Sequence, residues 1–429
     1  MSVAAGAGTL PRLLAGVAEH ACADLSGHLA VHGPMADPRS ASSQRLVELA
    51  AAAGLRGRGG AAFPVAVKMR SVASRRWQKV VLANGAEGEP ASKKDRVLLR
   101  EAPHLVLDGV AVAAAAVGAR EAIVAVAQDD RRGLRGIEHA IAQRHGRGLG
   151  DPRLSLLPVP PGYVSGQESA LVNLANAGIA LPTFGTRPFE RGVRGRPTLV
   201  QNAETLAHLG LIWRHGAEWF RQLGTAEDPG SALVTLSGAV DRPGVYEIAQ
   251  GMPLTDLLFE AGVAAEPRAV LIGGYFGGWI DANELDRVLL DRLSLAPFEA
   301  ALGAGIIAVL GSEGCPVAET VRVADYFAAE SAGQCGPCVH GLAAVADTLA
   351  RLQTATAPRG AFADLARWCA EIPGRGACGH PDGAIRLVSS ALRVFSPEFE
   401  DHARRGRCEL CHAPAVLPTP QWHPSAQAA

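Results

Sequence analysis

Lysine is nearly missing from this chain of 429 residues: only Lys68, Lys79, Lys93 and Lys94 occur, and the rest of its 41 basic residues are arginines. A GC-rich coding bias explains the excess of Arg but not the clustering of the lysines. A compact ammonium differs from a planar guanidinium, so these four are expected where a point charge is wanted, as against a phosphate. Net charge is also missing: 42 acidic residues balance the bases to −1. No overall field draws the molecule to nucleic acid or an anionic membrane, and binding must come from local sites. The longest apolar runs, around Val110–Gly118 and Ala300–Leu310, fall short of the ~18 residues a bilayer span requires. Met1–Leu14 has neither the basic start nor the apolar stretch of a secretory signal, so a reducing, cytoplasmic location is expected. The eight cysteines are then expected to be thiols or metal ligands rather than disulfides.

The length implies several domains. A glycine-dense loop, Leu55–Pro64, precedes the strand-like Lys79–Asn84, a helical Leu105–Val117 and a second buried strand, Ala122–Ala127. This alternation predicts a mostly parallel α/β sheet with ligands at its strand ends, where Asn84–Pro90 falls. Leu154–Pro158 and Gly162–Ala175 suggest a further strand and helix, and Thr198–Trp213 reads as another helix. Leu233–Val240 and Gly244–Ile248 flank an Asp-Arg-Pro turn, and an amphipathic helix with Leu254, Leu257, Leu258 and Ala261 follows. A strand pair plus a helix suggests a β-grasp module. Four apolar stripes between Val321 and Phe395 predict a small helical bundle. The predicted boundaries are an extension over 1–50, an α/β domain over 51–228, a β-grasp domain over 229–312, a helical domain over 313–405 and a cysteine-containing tail over 406–429. Beyond Leu417 the tail, rich in Pro, Gln and Ala, is expected to be disordered.

Three segments carry chemistry. Gly57, Gly59 and Gly60, with Arg56, Arg58 and Lys68, have the make-up of a phosphate cradle, because glycine lets backbone amides approach an anion closely. Asn84-Gly85-Ala86-Glu87-Gly88-Glu89-Pro90, followed by Lys93, Lys94 and Asp95, offers carboxylates and an amide to hydroxyls or a carboxamide. Tyr163–Ala170 is a glycine turn entering a helix whose start carries Gln167, Glu168 and Ser169. Read singly, each is also a solvated turn or an ordinary capped helix start.

Together and in this order, the segments resemble the NADH-oxidising flavoprotein subunit of respiratory complex I and its relatives in NAD-dependent hydrogenases and formate dehydrogenases. The likeness lies in Gly57–Lys68, Asn84–Arg96, Tyr163–Ala170 and Gly195–Leu206, and runs from about Leu55 to Arg405. It implies a multi-domain α/β protein: a Rossmann-like FMN/NADH domain, a β-grasp domain of the soluble-ligand-binding type and a four-helix domain with a [4Fe–4S] cluster. FMN would be held by Gly57, Arg58, Gly59, Gly60, Lys68, Asn84, Glu87, Tyr163, Gly166, Gln201, Asn202 and Thr205. NADH would stack near Phe63, with Glu89 and Glu168 as the catalytic pair. In such proteins a hydride passes from nicotinamide to flavin and electrons leave singly through iron–sulfur centres.

The chain departs from the family pattern within the site. Ala86, Gln167 and Gln201 stand where the family has Asp, Glu and Asn, Ser71 stands at an aromatic position, and Ala332 replaces the first cluster cysteine. Cys335, Cys338 and Cys378 remain, three of the four thiolates that a cubane needs. His340, Cys369, Cys408 and Cys411 are candidate replacements. Cys335-Gly336-Pro337-Cys338 also has thioredoxin spacing but lacks the preceding strand. Two C-x₂-C pairs would make a Cys₄ metal site if the C-terminus folded back, whereas Cys22 and Cys315 read as small apolar residues. The expected function is an FMN-dependent NADH oxidoreductase subunit that passes electrons to a ferredoxin-type or other iron–sulfur partner. The alternative is an assembly subunit that keeps the fold without the cofactors.

Overall fold

The computed structural model describes residues 9–19, 22–185 and 187–420. Its first sheet has four parallel strands, β1 (Lys79–Gly85), β2 (Ala119–Ala127), β3 (Arg153–Val159) and β4 (Thr198–Asn202), in the order β3-β2-β1-β4. Val80 to Ala83 are fully buried because both faces of β1 are covered, the usual state of a parallel sheet. Alternate side chains serve two cores: Val81 and Ala83 join one with α1 (Pro103–Val117), while Val80 and Leu82 join another with Leu171 of α2 (Glu168–Ala177).

The predicted helix over Thr198–Trp213 is two elements. Thr198–Leu199–Val200 continue the sheet beside β1, and α3 (Ala203–His215) begins only after Asn202. Asn202 is the cap: its side-chain oxygen accepts from the Glu204 and Thr205 N–H groups at 3.0 and 3.4 Å, which satisfies donors the first turn leaves free. Helices α1 and α3 touch backbone to backbone at Gly109, where a Cβ would sit 1.7 Å from the Leu206 carbonyl oxygen. Leu46, Val47 and Ala50, near the end of the expected N-terminal extension, belong to the first core.

The second sheet is mixed, in the order β6-β5-β9-β7-β8, with β5 (Ser231–Gly238), β6 (Gly244–Ala249), β7 (Pro267–Ile272), β8 (Gly278–Asp281) and β9 (Ile306–Gly311). The β5–β6 hairpin is antiparallel as its turn predicts, and β5 pairs parallel with β9. Leu254, Leu257 and Leu258 of α4 (Leu254–Ala261) pack with Val234, Leu236 and Ile272 on one face; Leu271 and Trp279 turn to the helical region on the other.

That region holds five helices, not four: α5 (Pro316–Ala329), α6 (Ala343–Gln353), α7 (Ala361–Glu371), α8 (His380–Val394) and α9 (Ser396–Arg405). The tail after Leu417, expected to be disordered, is described as far as Pro420. Leu417 is fully buried and its N–H donates to Glu319 at 2.6 Å; residues 421–429 lie outside the described residues. Among the described residues no helix is long and apolar enough to cross a membrane.

Candidate functional site

At the C-terminal ends of β1 and β4, where the backbone leaves a parallel sheet and ligands gather, lies a cavity of about 450 Å³, within the size range of small-molecule sites. Asn84 and Asn202, register partners on the two strands, both face it. Asn84 donates to the Gly166 carbonyl at 2.8 Å and accepts from the Ala86 N–H at 3.1 Å, fastening the polar loop after β1 to the turn before α2. That turn is tight: a Cβ at Gly88 would lie 2.4 Å from the Tyr163 carbonyl oxygen, and one at Gly166 2.8 Å from that of Ala86. Gly60, at φ +111°, has nothing near its missing Cβ, so a side chain there would project into the space the loop encloses.

Acidic groups ring the base of the cavity, and each is held differently. Glu87 is consumed internally, accepting from Ser92 Oγ at 2.6 Å and from the N–H groups of Asp95 and Arg96 at 2.9 and 3.2 Å. Glu89 accepts from the Tyr275 N–H at 2.9 Å and lies against the Tyr163 hydroxyl. Burial pushes its carboxyl up to about 7, despite those hydrogen bonds. Lys94 puts its ammonium 2.8 Å from Glu204 and 3.0 Å from Asp95. Burial works against that charge, but the two carboxylates hold its pKa above the ordinary lysine value.

Of the residues expected to bind FMN or act in catalysis, Arg58, Gly59, Gly60, Asn84, Glu87, Glu89, Tyr163, Gly166 and Asn202 line this one cavity. The others do not. Lys68 forms an ion pair with Glu168, and neither lines it. Phe63 is half exposed and does not line the cavity. Gly57 borders a neighbouring cavity, Gln201 is buried in β4, and the Thr205 hydroxyl accepts from the Arg58 N–H at 2.8 Å. Gln167, which replaces an acidic residue, caps α2 by accepting from the Ser169 and Ala170 N–H groups at 2.8 and 3.1 Å; an amide oxygen serves that purpose as a carboxylate would. Lys94, marked in the sequence for a point charge but not assigned to the cofactor, and Phe276, not singled out at all, both line the cavity. The pair Lys93-Lys94 followed by Asp95 signalled the first, and nothing local signalled the second.

Cys335, Cys338 and Cys378 converge on a small separate hollow with Ser331, Ala332 and His380. Burial raises the Cys338 thiol to about 11, so a thiolate there requires a cation beside it. These cysteines would supply three of the four thiolates an iron–sulfur cubane needs, and Ala332, in the same hollow, would supply none. Neither His340, Cys369, Cys408 nor Cys411 lines the hollow. Cys408 and Cys411 gather instead with Cys315 and His402, which corrects the Cys₄ pairing with Cys335 and Cys338; Cys315, expected as a small apolar residue, is buried in the core and also meets this group. Introducing the missing thiol tests the site: Ala332→Cys is expected to raise retained iron by about one atom per chain after aerobic gel filtration, measured by iron and sulfide analysis.

Residues 50–210 match the family model of the Nuo51 FMN-binding domain, 233–271 that of the SLBB domain and 318–402 that of the NADH-ubiquinone oxidoreductase-F iron-sulfur binding region. An NADH-quinone oxidoreductase subunit of Rhizobium meliloti (strain 1021) is 33% identical over 85% of this chain and 90% of its own length. The mitochondrial NADH dehydrogenase [ubiquinone] flavoprotein 1 of Dictyostelium discoideum is 30% identical over 82% and 78%. The NADP-reducing hydrogenase subunit HndC of Solidesulfovibrio fructosivorans is 29% identical over 87% and 79%. Among solved structures, an NAD+-reducing [NiFe]-hydrogenase in the H2-reduced state aligns with a TM-score of 0.79 at 32% identity, over 86% of this chain; the chain spans 64% of that hydrogenase chain. With the strand-end cavity and the cysteine hollow in the two matched regions, the chain belongs to the family of NADH dehydrogenase flavoprotein subunits.

Proposed function

We propose that this chain is the FMN-bearing, NADH-oxidising subunit of a larger redox assembly, delivering electrons through an iron–sulfur centre to a ferredoxin-type or other iron–sulfur partner. The observation that carries the reading is the cavity itself, with a glycine loop on one wall and a carboxyl–lysine network on the other. Bound FMN would supply the conversion of a two-electron hydride into single electrons. Arg58, Gly59, Gly60, Asn84, Gly166 and Asn202 are placed to hold it, since they line the cavity. Lys94, whose ammonium is held between Glu204 and Asp95, would tie these carboxylates down at the wall of the site that holds FMN. Glu89, with its raised affinity for a proton, accepts or donates a hydrogen bond according to pH. The β5–β9 sheet with α4 serves as a β-grasp platform toward a partner, supported by the match of residues 233–271.

The assembly-subunit alternative draws on the replaced positions Ala86, Gln167 and Ala332, the last lining the cysteine hollow. A single experiment separates the two readings. Purified protein is expected to be yellow or to become so with added FMN, and its flavin absorption band to bleach on anaerobic addition of NADH. Protein that stays colourless with FMN supplied is the assembly subunit. A band that bleaches with dithionite but not NADH would remove the nicotinamide claim and leave the flavin.

A further inference from the structure

Four side chains that neither cofactor region uses meet at the end of the helical region. Cys315 caps the start of α5, His402 lies on α9, and after it Cys408 caps the short turn Glu409–His412 that contains Cys411. Their ligand atoms all lie within 4.8 Å of one another. Cys315 Sγ is 3.5 Å from His402 Nε2 and 3.6 Å from Cys411 Sγ; Cys411 Sγ is 3.4 Å from His402 Nε2 and 3.7 Å from Cys408 Sγ. Tetrahedral zinc, with bonds of ~2.3 Å to sulfur and ~2.05 Å to nitrogen, sets its ligands ~3.75 Å apart between sulfurs and ~3.55 Å between sulfur and nitrogen. Four of the six edges match such a polyhedron, and the two from Cys408 to Cys315 and His402 lie within 4.8 Å.

Other occupants fit less well. Four irons hold their outer thiolates farther apart than one ion does, so the group is too tight for a cubane. The sulfurs are also much too far apart for a disulfide, whose bond is about 2.05 Å, and all are free thiols. Groups around the four residues are already arranged for a metal. His402 Nδ1–H donates to the Glu398 carbonyl at 2.8 Å, which fixes the tautomer that leaves Nε2 free to ligate. The Ala318 N–H points at Cys315 Sγ at 3.3 Å and Gln353 Nε2 at Cys411 Sγ at 3.8 Å, donors that favour thiolates. Cys315 and His402 are each 4% exposed.

We propose that Cys315, His402, Cys408 and Cys411 bind one zinc ion in a closed structural site, separate from the Cys335–Cys338–Cys378 hollow. Four protein ligands leave no open position for substrate, so the ion fastens rather than catalyses. It fastens the segment after α9 to the first turn of α5. Beyond the fastening, the N–H groups of Val416 and Leu417 reach Glu319 at 3.3 and 2.6 Å, and the Tyr275 hydroxyl donates to the Pro418 carbonyl.

The test is metal analysis of the full chain, produced with iron and zinc both supplied and purified anaerobically. About one zinc per chain is expected, unchanged in Cys378→Ala, which lowers iron, and reduced at least tenfold in Cys408→Ser and Cys411→Ser. Protein grown with cobalt should show the intense visible bands of a tetrahedral cobalt thiolate. Should the serine variants not fold, the wild-type chain still decides: a mercurial reagent should release zinc in step with thiol titration, and protease should then cleave beyond Gly406. Zinc-free wild-type protein, a Cys408–Cys411 disulfide in its peptide map, or iron bound at these residues would overturn the proposal. None of these outcomes depends on whether FMN is bound.

Discussion

Replacing Lys94 with Met is expected to lower the free energy of unfolding by about 3–5 kcal/mol and to yield protein that retains little flavin. The ammonium sits between Glu204 and Asp95, with Lys94 and Glu204 side chains 3% and 1% exposed. Glu204 also accepts from the Leu233 N–H at 2.8 Å, so this carboxylate joins α3 to the first strand of the second sheet. Without Lys94 its remaining cationic neighbour is Arg58, at 3.9 Å. A buried carboxylate left so poorly compensated is far costlier than the net worth of an intact pair. Urea unfolding at pH 7.5 measures the loss, and the double variant Lys94→Met/Glu204→Gln should recover part of it through coupling. A loss below about 1 kcal/mol, the scale of an exposed pair, would mean the network is not buried as described.

Glu89→Gln is expected to remove a pH dependence rather than only a rate. Because the folded-state value is raised to about 7 from an ordinary 4.5, the folded protein keeps a proton that the unfolded chain releases across that window. The residue's contribution to stability is therefore fully present below pH 4.5 and is lost as pH rises through 7. The amide keeps the acceptor for the Tyr275 N–H and carries no charge. The variant should thus match wild type near pH 4 and exceed it by about 2 kcal/mol at pH 8, less than the full shift would give because the cavity admits water. NADH-driven flavin reduction in wild type should show an ionisation near pH 7 that the variant lacks. Parallel stability curves for the two proteins from pH 4 to 8 would show that Glu89 titrates normally.

The parts of this molecule that can be read along the chain are those whose signal is local. The Val-Val-Leu-Ala run of β1 announced a strand covered on both faces, and the polar loop at its end marked the cavity. The strand Thr198–Asn202 was invisible because five residues beside a long helical pattern carry no period of their own; only pairing with β1 defines it. Lys93 and Lys94 are identical in sequence, yet one is exposed and the other buried, a difference made by Glu204, more than a hundred residues away. Roles taken from resemblance were least secure where a side chain has a local alternative. Lys68 meets Glu168, and Gln167 caps a helix. Cys315 lies 96 residues from Cys411, so spacing revealed only half of that group.

Tyr275 grips two remote stretches of chain with one rigid ring. Its backbone amide holds Glu89 at the cavity, and its phenol holds Pro418 near the end of the described chain. Shortening the polypeptide before Val416 would take nothing from the cavity wall, yet it would strip the phenol of its acceptor in a nearly dry interior and remove the buried Leu417. Through this one residue the 416–418 stretch and the buried acid of the cavity share a support.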